Sequence, residues 1–410
     1  MHRAIKLLLV CIFAMIYALP ARNMDNRPYV IIVSLDGFRW DYLDRGIAPH
    51  MQALADEGVR ALSFQPAFPS KTFPNHYTIV TGLYPQNHGL INNRFANPYS
   101  GAVYRLGDTS AVRNDYWYHG ETLWETAGRN GMKSASFFWP GSETRLPYKH
   151  PTYFKHYDGS VSHKERVDGV ISWLQLPEEQ RPHLIFLYFS DTDTQGHRYG
   201  PDSQEVNDAI RLLDKQIGYL RQRLKDIGMD RIVNIIVLSD HGMTNLNPDG
   251  VINLGKILAG EQVKMDGYGP LVQIFTRNSR QTVRLYHLLQ EKANGFRVFL
   301  REEVPTCWHY SANPFLGQII LVADLGNTFV KTDREMQSYM DRKPKGDHGY
   351  DNFALDMHGF FIAEGPAFRQ HYRFGTMLNV DVYPLVCKIL GIIGNQKIDG
   401  KLERVETLLK

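Results

Sequence analysis

Three apolar runs, each closed by an acid, constrain the fold of this chain more than any other feature. YVIIVSL at 29–35 leads into Asp36 and Gly37, and LIFLYF at 184–189 leads into SDTDTQGH. IVNIIVL at 232–238 leads into Ser239, Asp240, His241 and Gly242. Near-continuous apolar, β-branched runs of this length read as strands covered on both faces, as in a parallel sheet. Between the second and third runs, residues 205–227 place Val206, Ile210, Leu213, Ile217, Leu220 and Leu224 on one helical face. That order predicts right-handed crossovers and a doubly wound, mostly parallel α/β sheet with helices on both faces. The carboxyl ends of such strands form the ligand crevice, so the three acid-bearing ends are expected to converge.

An Asp after a strand often serves only as a helix cap or turn residue. Here histidines accompany the acids: Asp193 and His197 are four apart, and Asp240 and His241 are adjacent. Carboxylate and imidazole together suit zinc or a similar divalent ion. His358, in LDMHGFFIA at the edge of a further apolar run, is the expected final ligand. Asp36, Asp193, His197, Asp240, His241 and His358 make six. One catalytic zinc takes three protein ligands and keeps an open position. Six ligands therefore point to two metals, which serve phosphoryl transfer when they stand roughly 3.5–4 Å apart.

Such a site needs a nucleophile, either water or a side chain. FPSKTFPNHYT at 68–78 holds three hydroxyls, Ser70, Thr72 and Thr78. Pro74 fits the first turn of a helix and Gly82 its end. Thr72 then sits at a helix N-terminus, where free N–H groups and the dipole favour a phosphate. Two readings stay open from the residues alone: a plain N-cap, or a hydroxyl activated by a metal. Ser70 lies two residues too early, and Thr78 falls inside the helix.

At 410 residues the chain can bury a large core in one or two domains, and no glycine- or serine-rich linker divides it. A net charge of +3, from 46 basic and 43 acidic residues, excludes a nucleic-acid-coating surface, so no stable nucleic-acid partner is expected. His2, Arg3 and Lys6 precede the apolar run LLLVCIFAMIYAL, and Ala21 follows it. The pattern predicts a signal peptide over 1–22, a periplasmic or secreted protein, and no membrane span after its removal. The run is short of the ~20 residues a span needs. Cys307 and Cys387 remain in the mature chain, either paired or free.

FPSKTFPNHYTIVTGLYPQNHG, SLDG at 34–37, SDTDTQGH at 190–197, LSDHGM at 238–243 and GYDNFALDMHGFFIAEGPAF at 349–368 together resemble one known family. It is the nucleotide pyrophosphatase/phosphodiesterase family of the alkaline phosphatase superfamily. The resemblance runs from about residue 28 to about residue 395 and implies an alkaline-phosphatase-like fold with two zinc ions. By position, Asp193, His197 and His358 would hold one ion, and Asp36, Asp240, His241 and the Thr72 oxygen the other. Thr72 would form a covalent nucleotidyl intermediate that water releases as a nucleoside 5′-monophosphate. Asn93 would steady a non-bridging phosphate oxygen. Phe73 and Tyr157 would stack on the base, a contact tolerant of base identity. Trp139 matches a pocket segment and reads equally as a core aromatic. Lys71 matches a phosphate or base contact and reads equally as a solvated lysine.

The chain departs from the family's Glu-Pro-Asp-Ser-Ser-Gly-His with Asp191-Thr-Asp-Thr-Gln-Gly-His197, so two acids compete there; the spacing of four selects Asp193. It lacks the cysteine-rich and nuclease-like domains of many animal members, which implies a bacterial-type single catalytic domain over 23–410. Members directed at lysophospholipids or choline phosphodiesters share the core and give the alternative substrate class. A sulfatase would need Cys or Ser at position 72 to form its aldehyde. A phosphomonoesterase would need positive side chains near the phosphate, where Asn93 is neutral and Arg94 is its neighbour.

Overall fold

The computed structural model describes residues 27–410, so the expected signal peptide lies outside the described residues. Eight strands form the central sheet. Tyr29–Leu35 lies in the middle, parallel to Leu184–Phe189 on one side and to Val233–Leu238 on the other. Leu35 is level with Phe189, and Ser34 with Leu238, so all three acid-bearing ends stop at one edge. Ser134–Phe137 and Tyr153–Lys155 extend the parallel sheet beyond Leu184–Phe189. Beyond Val233–Leu238 lies Phe361–Glu364, antiparallel to both neighbours, and then the parallel pair Val59–Gln65 and Tyr372–Leu378.

Alternating side chains of the central strand enter two cores, as strand geometry requires. Val30 and Ile32 join the layer that holds Ile79 and Val80 of the helix Thr72–Thr81. Ile31, Val33 and Leu35 join the opposite layer, against the helices Pro49–Glu57, His163–Leu174 and Gln204–Asp226. In the last of these, Val206, Ile210, Leu213, Ile217, Leu220 and Leu224 are all buried, as their spacing predicts. Among the described residues no helix is long and apolar enough to cross a membrane. Cys307 and Cys387 are free thiols, one exposed and one buried.

A second sheet has no counterpart in the sequence reading. Lys264–Tyr268, Leu271–Phe275, Ile319–Ala323 and Phe296–Leu300 pair antiparallel in that order. The helix Ser279–Glu291 covers it through Leu285 and Leu289. Its edge strand Lys264–Tyr268 meets the short strand Arg94–Ala96: Asp266 accepts the Ala96 N–H at 2.7 Å and pairs with Arg94. Thr244–Asn245 and Gly346–Asp347 form a two-residue ribbon.

One capping contact joins two helices of the lower layer. The helix Pro49–Glu57 starts at Ala48, whose side chain cannot cap. Asp214, buried in the Gln204–Asp226 helix, accepts the Met51 N–H at 2.8 Å instead. Losing a cap costs about 1–2 kcal/mol. Asp214→Ala is therefore expected to lower the unfolding free energy by that amount, read as a lower urea midpoint at an unchanged slope of the transition; an unchanged midpoint would refute the cap.

Candidate active site

The strand ends deliver two groups of ligands. Asp36, Asp240 and His241 gather in one group, and Asp193, His197 and His348 in the other, with potential ligand atoms within 4.8 Å of one another in each. Asp36 follows Leu35 directly, and Asp240 and His241 follow the strand Val233–Leu238. Asp193 and His197 stand one turn apart on the helix Asp191–Tyr199, which starts after Leu184–Phe189. Asp191 points elsewhere, its carboxylate 2.8 Å from His163 Nε2.

His358 is not in either group, which corrects the expected ligand set. Its Nδ1 lies 2.9 Å from Ser63 Oγ and its Nε2 3.0 Å from the Asn352 carbonyl. Both ring nitrogens are thus engaged in structural hydrogen bonds. His348 stands where His358 was expected. A sequence signal existed: Asp347-His348-Gly349 repeats the tripeptide Asp240-His241-Gly242. The ribbon brings the two copies side by side, with Asp347 opposite Thr244, and the His241 and His348 rings stack at 3.6 Å.

The donor set fits divalent cations. Asp36 Oδ1, Asp193 Oδ1 and Asp240 Oδ2 are buried without a hydrogen-bond partner. Asp193 Oδ1 lies 3.3 Å from His197 Nε2 and 3.5 Å from His348 Nε2. His241 Nε2 lies 3.4 Å from Asp36 Oδ1 and 3.0 Å from Asp240 Oδ2, without hydrogen-bond geometry to the latter. Each Nδ1 meets a backbone carbonyl: Gly346 for His197 (2.9 Å), Ser70 for His348 (2.7 Å) and Gly242 for His241 (2.8 Å). A proton on Nδ1 leaves the Nε2 lone pair free for a metal. Burial, with the charges of Asp240 and Asp193, holds Asp36 well above the usual carboxylate range. Burial also raises Asp193, but the His197 charge outweighs it and the net shift is downward.

Thr72 is the first residue of its helix; the N-cap is Lys71, with no side-chain capping bond. The plain-cap reading of Thr72 is therefore not realised. Its Oγ1 turns to the Asp36 group, 3.3 Å from His241 Nε2. Asn93 Oδ1 accepts the Phe73 N–H at 2.9 Å, one residue on from Thr72. Arg94 is taken up by Asp266. Lys71, 1% exposed, is not a solvated lysine: its ammonium lies 3.2 Å from Asp347 and is committed to that ion pair.

Phe73 is buried beside Thr72, and Tyr157 is half-exposed. Glu143, which the sequence reading missed, accepts the Tyr157 N–H at 2.8 Å and holds that loop. Trp139 is 1% exposed, packs on Phe186 at 5.1 Å, and donates to the His76 carbonyl at 3.3 Å. It is a core aromatic. His76 was also missed; it bridges Ser34 Oγ (2.8 Å) and the Thr72 carbonyl (2.9 Å).

A doubly wound sheet with paired carboxylate–imidazole groups and a helix-start hydroxyl at its carboxyl edge defines a metal-dependent hydrolase. Comparison with known proteins sharpens that class. The sequence profile for type I phosphodiesterase/nucleotide pyrophosphatase matches residues 30–351. A Xenopus laevis bis(5′-adenosyl)-triphosphatase, enpp4, is 36% identical over 386 residues, covering 94% of this chain and 82% of the relative. Human ectonucleotide pyrophosphatase/phosphodiesterase family member 5 is 35% identical over 93% of this chain and 78% of its own. The solved human member 5 superposes with a TM-score of 0.86 at 34% identity, covering 93% of this chain and all of that one. The murine member 5, in an inactive threonine-to-alanine form in complex with AMP, superposes at 0.87 with 33% identity, over 93% of this chain and all of that one. The chain belongs to the type I phosphodiesterase/nucleotide pyrophosphatase family, and it is a hydrolase.

Two outcomes follow for the metal groups. His348→Ala is expected to lose one equivalent of bound metal, and His358→Ala to keep both, by elemental analysis; the reverse result would restore His358 as the ligand. The second outcome concerns pH. Burial lowers the His197 pKa, but the Asp193 charge outweighs it and pushes the group up to about 9. His348 is held well below the ordinary imidazole value by burial, His241 and Lys71. Metal binding at this group thus expels one proton, from His197. Calorimetric titration should show affinity rising about tenfold per pH unit up to about pH 9; affinity independent of pH would contradict it.

Proposed function

We propose that this chain hydrolyses phosphodiester and phosphoanhydride bonds of nucleotides to nucleoside 5′-monophosphates through a covalent Thr72 intermediate. The observation that carries the reading is the placement of Thr72. Its hydroxyl sits at a helix start, 3.3 Å from His241 Nε2 of the group that holds the unpartnered Asp36 Oδ1 and Asp240 Oδ2, and Asn93 accepts the next N–H. Asp36, Asp240 and His241 with Thr72 would hold one divalent ion, and Asp193, His197 and His348 the other; zinc suits both sets. When bound, the ions supply Lewis-acid charge that offsets the carboxylates and the phosphoryl group.

Thr72 Oγ1 attacks phosphorus in line, and the bond to the leaving group breaks. Water then attacks the same phosphorus and frees Thr72. Asn93 donates to a non-bridging oxygen, and its neutrality suits a diester, whose phosphate carries one charge fewer than a monoester. Arg94 and Lys71 are committed to Asp266 and Asp347, so neither offers a second charge to a terminal phosphate. Phe73 and Tyr157 would stack on the base, which favours nucleotides over lysophospholipid or choline diesters. The murine relative, inactive as a threonine-to-alanine variant and seen with AMP, supports both the nucleophile and the nucleotide. Export is proposed on the N-terminal pattern and on relatives named ectonucleotide enzymes.

Thr72→Ala should abolish turnover of a nitrophenyl nucleotide diester while both metals stay bound. Near-normal rates in that variant would make water the direct nucleophile. In the unaltered protein the diester should turn over faster than nitrophenyl phosphate, nitrophenyl phosphocholine or nitrophenyl sulfate. A faster competitor would transfer the assignment to that substrate class.

A further inference from the structure

Tyr157 keeps 51% of its surface exposed, and its ring leans against two others. Phe138 lies 5.3 Å away and Tyr188 6.3 Å away, centre to centre. The Tyr188 hydroxyl donates to Asp36 Oδ2 at 2.6 Å, so an exposed aromatic ring stands two contacts from a candidate metal ligand. The two supporting residues are themselves held. Arg166, 4% exposed on the helix His163–Leu174, places its guanidinium 5.0 Å from the Phe138 ring centre and donates to the Tyr188 carbonyl at 3.2 Å. Phe138 takes φ 73°, a conformation that a bulky residue keeps only where its surroundings impose it.

The backbone of Tyr157 is fixed by one side chain, fourteen residues earlier in the chain. Glu143 Oε1 accepts the Tyr157 N–H at 2.8 Å. Its Oε2 accepts the His156 Nδ1–H at 2.8 Å, and the Arg113 Nε–H and Nη2–H at 3.3 and 3.2 Å. Glu143 is 9% exposed, and both of its oxygens are engaged by the protein. A buried carboxylate shared between a backbone N–H and a guanidinium makes charge-assisted bonds, stronger than neutral ones. These bonds hold the 156–157 segment to Arg113, leaving Tyr157 exposed but not free to swing away.

We propose that Glu143 is a positioning residue for Tyr157 and, through it, sets the affinity of the site for a nucleotide base. A stacking ring adds to binding to the extent that it is ordered before the ligand arrives. Glu143 supplies that order through the Tyr157 N–H, without itself touching the base. Stacking accepts every base because each has a π-face, so Glu143 acts on all bases alike. The inference rests on the proposed stacking role of Tyr157 and deepens it.

The test uses the full chain in five forms: unaltered, Glu143→Ala, Glu143→Gln, Tyr157→Ala, and Glu143→Ala with Tyr157→Ala. The substrates are the nitrophenyl esters of adenylate and thymidylate, and methyl nitrophenyl phosphate, a diester without a base. Tyr157→Ala and Glu143→Ala should each raise KM about tenfold on both nucleotides with kcat within about threefold. Glu143→Gln keeps an acceptor oxygen for the Tyr157 N–H but not the charge towards Arg113, and should raise KM about threefold. The double variant should match Tyr157→Ala, since the ring that Glu143 positions is gone. The base-less diester should be turned over alike by all five forms. A parallel loss on that diester would mean a merely structural role, and a loss confined to one base would mean that the carboxylate reads the base directly; either overturns the proposal. So does an unaltered KM in Glu143→Ala when Tyr157→Ala is impaired. Should Glu143→Ala fail to fold, Glu143→Gln decides alone: the proposal falls if its KM does not rise on both nucleotides. An unaltered KM in Tyr157→Ala would instead overturn the stacking reading itself.

Discussion

Three carboxylates at one sheet edge, Asp36 and Asp240 buried and Asp193 partly so, are the constraint to which the surrounding structure responds. Like charges a few ångströms apart cost several kcal/mol at the effective dielectric of a protein site. Register makes the crowding unavoidable: the strands that carry Asp36 and Asp240 are adjacent, and the strand before Asp193 lies on the other side of the first. Part of the charge is met by the protein. The Tyr188 hydroxyl donates to Asp36 Oδ2 at 2.6 Å, and the Gly37 N–H donates to Asp240 Oδ1 at 3.2 Å. The other oxygen of each, and Asp193 Oδ1, are left for an external cation.

The histidines are set by backbone rather than by further acids, which avoids adding charge. Their carbonyl partners belong to the turns that build the site, so ligand orientation and loop conformation are one problem. Ser70 shows this best. Its carbonyl meets His348 Nδ1, its hydroxyl donates to the Tyr350 carbonyl at 3.1 Å, and the same hydroxyl accepts the Gly349 N–H at 3.0 Å. Lys71, next along, pairs with Asp347. Ser70 and Lys71 fasten the loop of His348 to the helix start, and Thr72 alone of the three faces the ligands. The two neighbours of Thr72 have structural work that explains their burial.

The mostly parallel sheet, the convergent acids and five of the six gathered ligands were legible because the acids and histidines follow long apolar runs. His348 was not, since its strand, Gly346–Asp347, is two residues long and carries no periodicity. His358 attracted attention because an apolar strand follows it, yet that strand runs antiparallel and His358 precedes it, outside both ligand groups. Lys71 and Trp139 show another limit: which side of a helix start or strand end meets the crevice depends on partners 276 and 63 residues away. The second sheet was missed for a related reason. Its strands are five residues each, Gly267 interrupts the edge one, and Asp266 in that strand meets Arg94 and Ala96, about 170 residues earlier in the chain.

The helix start that aims Thr72 also limits what else can happen there. An α-helix leaves its first N–H groups without internal partners. Here Pro74 has none to offer, the Phe73 N–H goes to Asn93, and the Asn75 N–H goes to the Lys71 carbonyl at 3.1 Å. With Lys71 as a cap that provides no side-chain acceptor, the Thr72 N–H is the donor left over, on the same residue as the nucleophile. A helix end that bound an anion through several N–H groups would hold phosphate firmly in the ground state. A single free N–H would hold it lightly, which leaves more of the available stabilisation for the transition state.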